Sequence, residues 1–257
     1  MQHIKKPLPD QKGLTLIELL VGLSVGLLVI GVASVALLAS RGVSGSVRDS
    51  SGLQQQAAYA MRVIGQHTRQ AGSLYLEMNP PGQENSVVFL KREGNIITTN
   101  SNNTSLTTYF SSDGSSLSRN CLGNTPTPNT ANTPISNSFA LHAATNSLRC
   151  EGQPIINQVA DFKIRYLVQK NGATGETNIT YTDSPNASDQ IQGIEICLVL
   201  YGTERIDLPA GTSYAGCDFD NDGKPRAVDI TELTGERASR MHLVFRNVFQ
   251  LRPQGEL

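Results

Sequence analysis

Basic residues are not in excess in this chain: 21 lysines and arginines stand against 22 aspartates and glutamates over 257 residues, a net charge of −1. A protein that holds nucleic acid through its phosphates needs a basic field, so composition argues against that class. Histidine is scarce. Of the four, His3 lies in the first residues, His67 in a helical stretch among polar residues, and His142 and His242 in strand-like segments. None has a catalytic motif around it, and a satisfied or surface histidine is the commoner condition of such residues. No Gly-rich phosphate loop and no His-x-x-x-His metal spacing occurs. The four cysteines, Cys121, Cys150, Cys197 and Cys217, include no Cys-x-x-Cys pair, which argues against zinc or thiol redox chemistry. An enzyme is not expected.

What is abundant is apolar length. From Leu14 to Ala39 the chain runs 26 residues with Glu18 as the only ionisable group, more than the roughly 20 that a membrane-crossing helix needs. Lys5, Lys6 and Lys12 precede the run, and Arg41 and Arg48 follow it. That balance places the N-terminus in the cytoplasm and everything after Ala39 outside. A secretory signal peptide would have an apolar region of about 7–15 residues and a small-residue cleavage site; this run is too long. A carboxylate near the middle of a membrane helix costs about 2.5–3.5 kcal/mol, less near the end. Glu18 therefore either snorkels to the headgroups or has a partner.

Gly13 closes a short basic leader and opens Leu14-Thr15-Leu16-Ile17-Glu18-Leu19-Leu20. This resembles the class III signal of type IV pilins and pseudopilins, usually Gly-Phe-Thr-Leu-Ile-Glu-Leu, with Leu14 in place of the usual Phe. The resemblance implies that prepilin peptidase cuts after Gly13 and methylates the new N-terminal amine on Leu14. It also implies that Glu18 pairs with the N-terminal amine of a neighbouring subunit and so sets subunit register. Cleavage would remove Lys5, Lys6 and Lys12 against Asp10, taking the net charge from −1 to about −3.

Four regions are expected: a cleaved leader at 1–13, a transmembrane or filament-core helix at 14–39, an amphipathic helix at 40–72, and a β-rich periplasmic head at 73–257. The fold class is α+β, a long N-terminal helix packed on an antiparallel sheet. Leu53, Ala57, Met61, Ile64 and Ala71 recur at helical steps, with Gln54, Gln55, Arg62, Gln66 and Arg69 on another face. Gly42, Gly45 and Gly52 each weaken the helix by about 1 kcal/mol, admitting a hinge or partial melting, and Gly72 ends it. Asn95 to Ser138, rich in Asn, Ser and Thr with Pro126, Pro128 and Pro134, reads as hairpins with long loops. Half-buried antiparallel strands follow. Phe162, Ile164, Tyr166 and Val168 alternate with polar residues; Ile194, Ile196, Leu198 and Leu200 form another row; Met241, Leu243 and Phe245 form a third, with a change of parity near Asn247 that suggests a bulge.

The turn Gly152-Gln153-Pro154, the segment Val159 to Tyr166 and a last strand ending in Arg252 are similar to the head of PilW-type minor pilins. That resemblance implies assembly: insertion in the inner membrane, cleavage, and extraction by the inner-membrane assembly platform into a helical filament of N-terminal helices. Partners would be prepilin peptidase, other minor pilins and the major pilin, in a complex that primes the filament or sits at its tip. The alternatives are a minor pseudopilin of a type II secretion system and, from another class, a membrane-tethered periplasmic binding protein.

Two further expectations concern the head. An even number of exported cysteines reads as two disulfides. Of three connectivities the sequence neighbours Cys121–Cys150 and Cys197–Cys217 are favoured, each contributing on the order of 3 kcal/mol by restricting the unfolded chain. In Cys217 to Asp229, Asp218, Asp220 and Asp222 stand at positions one, three and five, Gly223 at six, the Lys224 carbonyl at seven and Asp229 at twelve, the ligand spacing of an EF-hand-type calcium loop. Pro225 at position eight, the short Asp229 and the lack of flanking helices point instead to a solvated hairpin turn. Both readings stay open at this level.

Overall fold

A computed structural model describes residues 13, 15–73, 75–78, 82, 85–90, 95–110, 119–124, 135–171, 177–186, 189–220 and 222–251. The leader before Gly13, Leu14, Pro126, Pro128, Pro134, Asn221 and Arg252 lie outside the described residues.

Leu16–Gln70 forms one α-helix of 55 residues, α1. It passes Gly42, Gly45 and Gly52 unbroken, so the expected melting is not seen; a break would forfeit propagation and require a second costly nucleus. The chain divides into two compact units, Met1–Arg48 and Asp49–Leu257, so the last turns of α1 pack with the head. The helix stops at Gln70. There Gly72 takes φ +72° and its amide donates to the Tyr109 carbonyl at 2.9 Å, a left-handed exit that glycine adopts without strain.

The thirteen strands among the described residues are all paired antiparallel. β1 (Tyr75–Met78) and β2 (Val87–Leu90) form a two-stranded ribbon. β3 (Ile97–Thr99), β4 (Ser105–Phe110), β5 (Ile135–His142), β6 (Ser147–Cys150) and β7 (Gln153–Ile156) make a five-stranded sheet in chain order. The turn between β6 and β7 is Glu151-Gly152, one step before the expected position, and Pro154 lies in the sheet's edge strand, where a missing amide is tolerated. After β8 (Val159–Asn171), β9 (Thr177–Thr182) and β10 (Gln190–Arg205) come the hairpin β11 (Ser213–Phe219) and β12 (Pro225–Asp229), then β13 (Arg240–Gln250). The main sheet has the order β13-β10-β8-β9.

One core joins helix and sheets. Leu53, Ala57, Ala60, Met61 and Ile64 of α1, with Ala71 just past its end, share it with Phe162, Ile164, Tyr166 and Val168 of β8 and with Ile194, Ile196, Leu198 and Leu200 of β10. Leu106, Phe139, Leu148 and Ile156 enter it from the five-stranded sheet. β10 is not half-buried as its alternation suggested. Gly193 through Gly202 is buried on both faces, because the β11–β12 hairpin covers Cys197 and Val199 on the side away from the helix. The expected bulge at Asn247 is absent: β13 pairs with β10 without interruption from Gly193↔Gln250 to Tyr201↔His242. Phe249 and Leu251 keep the parity of Met241, Leu243 and Phe245, and Asn247 is a single polar exception.

A Cβ at Gly65 would overlap the ring of Phe249, itself only 6 % exposed in the core. Alanine is the better helix former by about 1 kcal/mol, whereas overpacking a filled core costs about 1–3 kcal/mol. Gly65→Ala should therefore lower the melting temperature of the head. A rise, read by circular dichroism, would show that the ring yields freely.

Candidate functional site

The candidate assembly segment begins at the start of α1. Thr15 precedes the first helical residue, and its hydroxyl accepts from the Glu18 amide at 3.4 Å while its carbonyl accepts from Glu18 and Leu19 at 3.1 and 3.2 Å. Thr15-Leu16-Ile17-Glu18 thus has the S/T-x-x-E form of a capping box, a local reason for a carboxylate that sequence reasoning had passed over. The same charge lies in the first turn, where the helix dipole favours an anion. Ser24 and Ser34, polar groups in the apolar run, return their hydroxyls to the carbonyls of Val21 and Ile30 at 2.9 and 2.8 Å. Leu16–Leu38 is long and apolar enough to cross a bilayer, and its fifteen leucine, isoleucine and valine side chains are all more than half exposed. A surface patch of that extent needs lipid or other helices as its surroundings. Gly22 and Gly26 stand one turn apart on it with open space where a side chain would be.

In the head, Cys121 is bonded to Cys150 and Cys197 to Cys217, with Cα separations of 6.3 and 5.6 Å. The second bridge ties the β11–β12 hairpin to the outer face of the main sheet. Around it Tyr214 stacks on His242, centroids 4.9 Å apart and rings nearly parallel. His67 is not among polar neighbours as its flanking residues suggested: it is 3 % exposed, beside Phe139. Its Nδ1 lies 3.2 Å from the Asn137 amide nitrogen, and Asn137 Oδ1 accepts from the Cys121 amide at 2.8 Å. That bridge needs a neutral imidazole as acceptor. Burial holds both His67 and His242 below the usual histidine pKa, and pushes the Asp161 carboxyl up. His142 contacts Thr145 through Nδ1 at 2.9 Å.

The five candidate calcium ligands are not gathered into one shell. Asp218 pairs with Lys163 at 3.3 Å. Asp220 closes the hairpin turn, its Oδ1 accepting from the amides of Asp222 and Lys224 at 3.0 and 2.8 Å, with Gly223 at φ +75° and the Lys224 carbonyl accepting from the Asp220 amide. Asp229 accepts from the amide and hydroxyl of Thr231, opposite Ser213 at the far end of the ribbon. The cause is Pro225: β12 starts there, and four residues of extended chain carry Asp229 about 13 Å from it. Among the described residues no group of three His, Cys, Asp or Glu side chains is placed to hold a metal ion.

Residues 8–34 match the prokaryotic N-terminal methylation motif. No curated protein matches the chain. Among solved structures the chain is similar to a type IV-like pilin from Thermus thermophilus, at 13 % identity and a TM-score of 0.42, over 77 % of this chain and 95 % of that one. The methylation motif and the order of long apolar helix followed by antiparallel sheet make the protein type IV pilin-like.

Two outcomes follow for the head. His67 and His242 are protonated less readily folded than unfolded, where the pKa is about 6.5. Their contribution to stability is therefore complete above that value and lost as pH falls from it through the folded values. The melting temperature should fall between pH 7.5 and 5.5, and His67→Gln should flatten the slope; a level profile in the parent chain would contradict the buried neutral bridge. The window of Asp161 begins lower, near about pH 4, and has the opposite sign. Asp220→Ala should cost about 1 kcal/mol through its two lost bonds, equally with and without millimolar calcium. A calcium-induced rise in the parent that vanishes in the variant would restore the ion-binding reading.

Proposed function

We propose that this type IV pilin-like chain is a minor pilin of PilW type, cut by prepilin peptidase and assembled through α1 into a complex that primes a type IV pilus or sits at its tip. The observation that carries the reading is Gly13 placed before a capped helix start with Glu18 in its first turn and an apolar helix behind it whose large side chains are all more than half exposed. After cleavage the amine of Leu14 and the carboxylate of Glu18 are complementary charges on every subunit. In a medium of low dielectric such a pair is strongly favoured once both partners are desolvated together, and an unpaired Glu18 is penalised. The partner helix therefore has a fixed register, that which brings one subunit's amine to the next subunit's carboxylate.

The exported head is a structural module. Its two disulfides suit an oxidising compartment, and the N-terminus stays cytoplasmic until extraction by the inner-membrane assembly platform. Contacts with the other minor pilins and the major pilin begin with the helix. The role needs no catalytic group.

Mass spectrometry of the protein from its native cell should find a chain beginning at methylated Leu14. A Met1 start, or a cut near Ala39, would overturn the pilin reading. Gly13→Ala should block or slow cleavage, while Glu18→Ala should leave cleavage largely intact and reduce incorporation into filaments. Incorporation at the parent level would remove the pairing role from Glu18, and recovery of the protein only with secretion machinery would favour the pseudopilin.

A further inference from the structure

The main sheet ends on one side in β13, and this edge differs from the others. The five-stranded sheet is bounded by β3, three residues long, and by β7, four residues with Pro154 among them; the main sheet's other edge, β9, has six. Shortness and proline are common guards against the addition of a further strand. β13 runs eleven residues, Arg240–Gln250, without proline or glycine, and its register with β10 is unbroken from Tyr201↔His242 to Gly193↔Gln250. The Leu251 amide donates to the Gln192 carbonyl at 2.9 Å, which fixes the phase of the ladder. Leu243, Phe245, Asn247 and Phe249 therefore turn their amides and carbonyls to β10, and His242, Val244, Arg246, Val248 and Gln250 turn theirs away from it. Among the described residues none of those outward groups has a hydrogen-bond partner.

The charged side chains of β13 do not guard the edge. Arg246 sends Nη1 to Glu195 at 3.1 Å and Nη2 to the Gly216 carbonyl. Arg240 gives Nη1 to the carbonyls of Gly202 and Thr203 at 3.0 and 2.7 Å. Both guanidiniums are thus engaged by their own head, where they set no charge against an incoming strand. On the core side Met241, Leu243 and Phe245 are partly buried against the core, an apolar row that ends at this edge. What can seat there is set by the row itself. Its donors and acceptors repeat at every second residue, about 6.8 Å, a period that extended backbone matches. A neighbour of Met241, Leu243 and Phe245 needs apolar side chains at alternate positions, and nothing along the row selects a charged one.

We propose that the free edge of β13 takes an extended, uncharged segment of a partner protein as an added antiparallel strand, apolar at every second residue on the core side. The proposal stands on the head alone and not on processing or filament assembly. Its probe is a capped octapeptide of alternating valine and threonine, titrated by calorimetry into the full chain in detergent. With valine on the core side, antiparallel pairing sets the threonines opposite His242, Val244, Arg246 and Val248, so threonine amides make the ladder and valine amides point away. Saturable binding is expected, at least tenfold weaker when every threonine amide is N-methylated and retained when every valine amide is. Val248→Pro removes an outward amide and no bond to β10; it should weaken binding at least tenfold at a nearly unchanged melting temperature. Where that variant fails to fold, the methylated peptides decide with the parent chain alone. No binding, binding that survives threonine methylation or is lost on valine methylation, or undiminished binding in folded Val248→Pro would each overturn the proposal. So would dimers of the full chain that vanish in Val248→Pro without any binding of peptide, an outcome that assigns the edge to a second copy.

Discussion

The head depends on one contact, the seating of a small-residue helical stripe on the inner face of β8 and β10. Ala57, Ala60 and Gly65 of α1, with Ala71 just past its end, are its small buried positions, and Leu53 and Ile64 fill what lies between. Fully burying a side chain of the latter kind is worth about 1.5–3 kcal/mol. Thr68 lies in the same contact without exposing a polar atom, since its hydroxyl donates to the Ile64 carbonyl at 2.9 Å. The inward rows of β8 and β10 can be continuous only because this stripe covers them. Phe139 and Leu148 reach the same core from the second sheet; the two sheets share no strand but meet directly, the Ile164 amide donating to the Asn103 carbonyl at 3.0 Å and the hydroxyls of Thr99 and Tyr166 lying 2.9 Å apart.

The other face of the main sheet is covered by different means. The β11–β12 ribbon has too few residues to bury a core of its own, and a two-stranded ribbon is marginal in water. It is held by a disulfide, by the stacked pair Tyr214 and His242, and by Phe219 resting on two arginines. Cover of this kind is local, which is why the face is closed around Cys197 and open around Tyr181. At the far end of β10 an aspartate of the helix does comparable work. Asp49 accepts from the Thr203 hydroxyl and the Glu204 amide at 2.6 and 2.8 Å, beside Gly202, where a side chain would collide with its carboxylate.

What was legible in the sequence were the features with a strong period or a strong exclusion. The apolar run, the stripe from Leu53 to Ala71, and the rows of β8 and β10 follow from spacing alone, and the cysteine pairing from proximity along the chain. Features set by distant partners were not legible. His67 has polar sequence neighbours, yet helical geometry points it at Phe139 and Asn137, seventy positions on. The buried outer face of β10 carried a signal, since Cys197, Val199 and Tyr201 are apolar too, but nothing local says what covers them. The aspartate spacing counts a loop pattern through Pro225, where the chain has already become a strand. At Asn247 one polar residue in an apolar row imitated a change of register. The capping box at Thr15 to Glu18 was in plain view and was masked by the longer motif that contains it.

The two disulfides join cysteines that are successive along the chain, with separations of 29 and 20 residues. A ribosome releases a chain from its N-terminus, and segments organise in that order. Cys121 and Cys150 therefore both exist before Cys197 is made, and each thiol meets its proper mate as the first newcomer. Wrong bridges would have to form against that chronology wherever thiols oxidise as the chain emerges N-terminus first into an oxidising compartment.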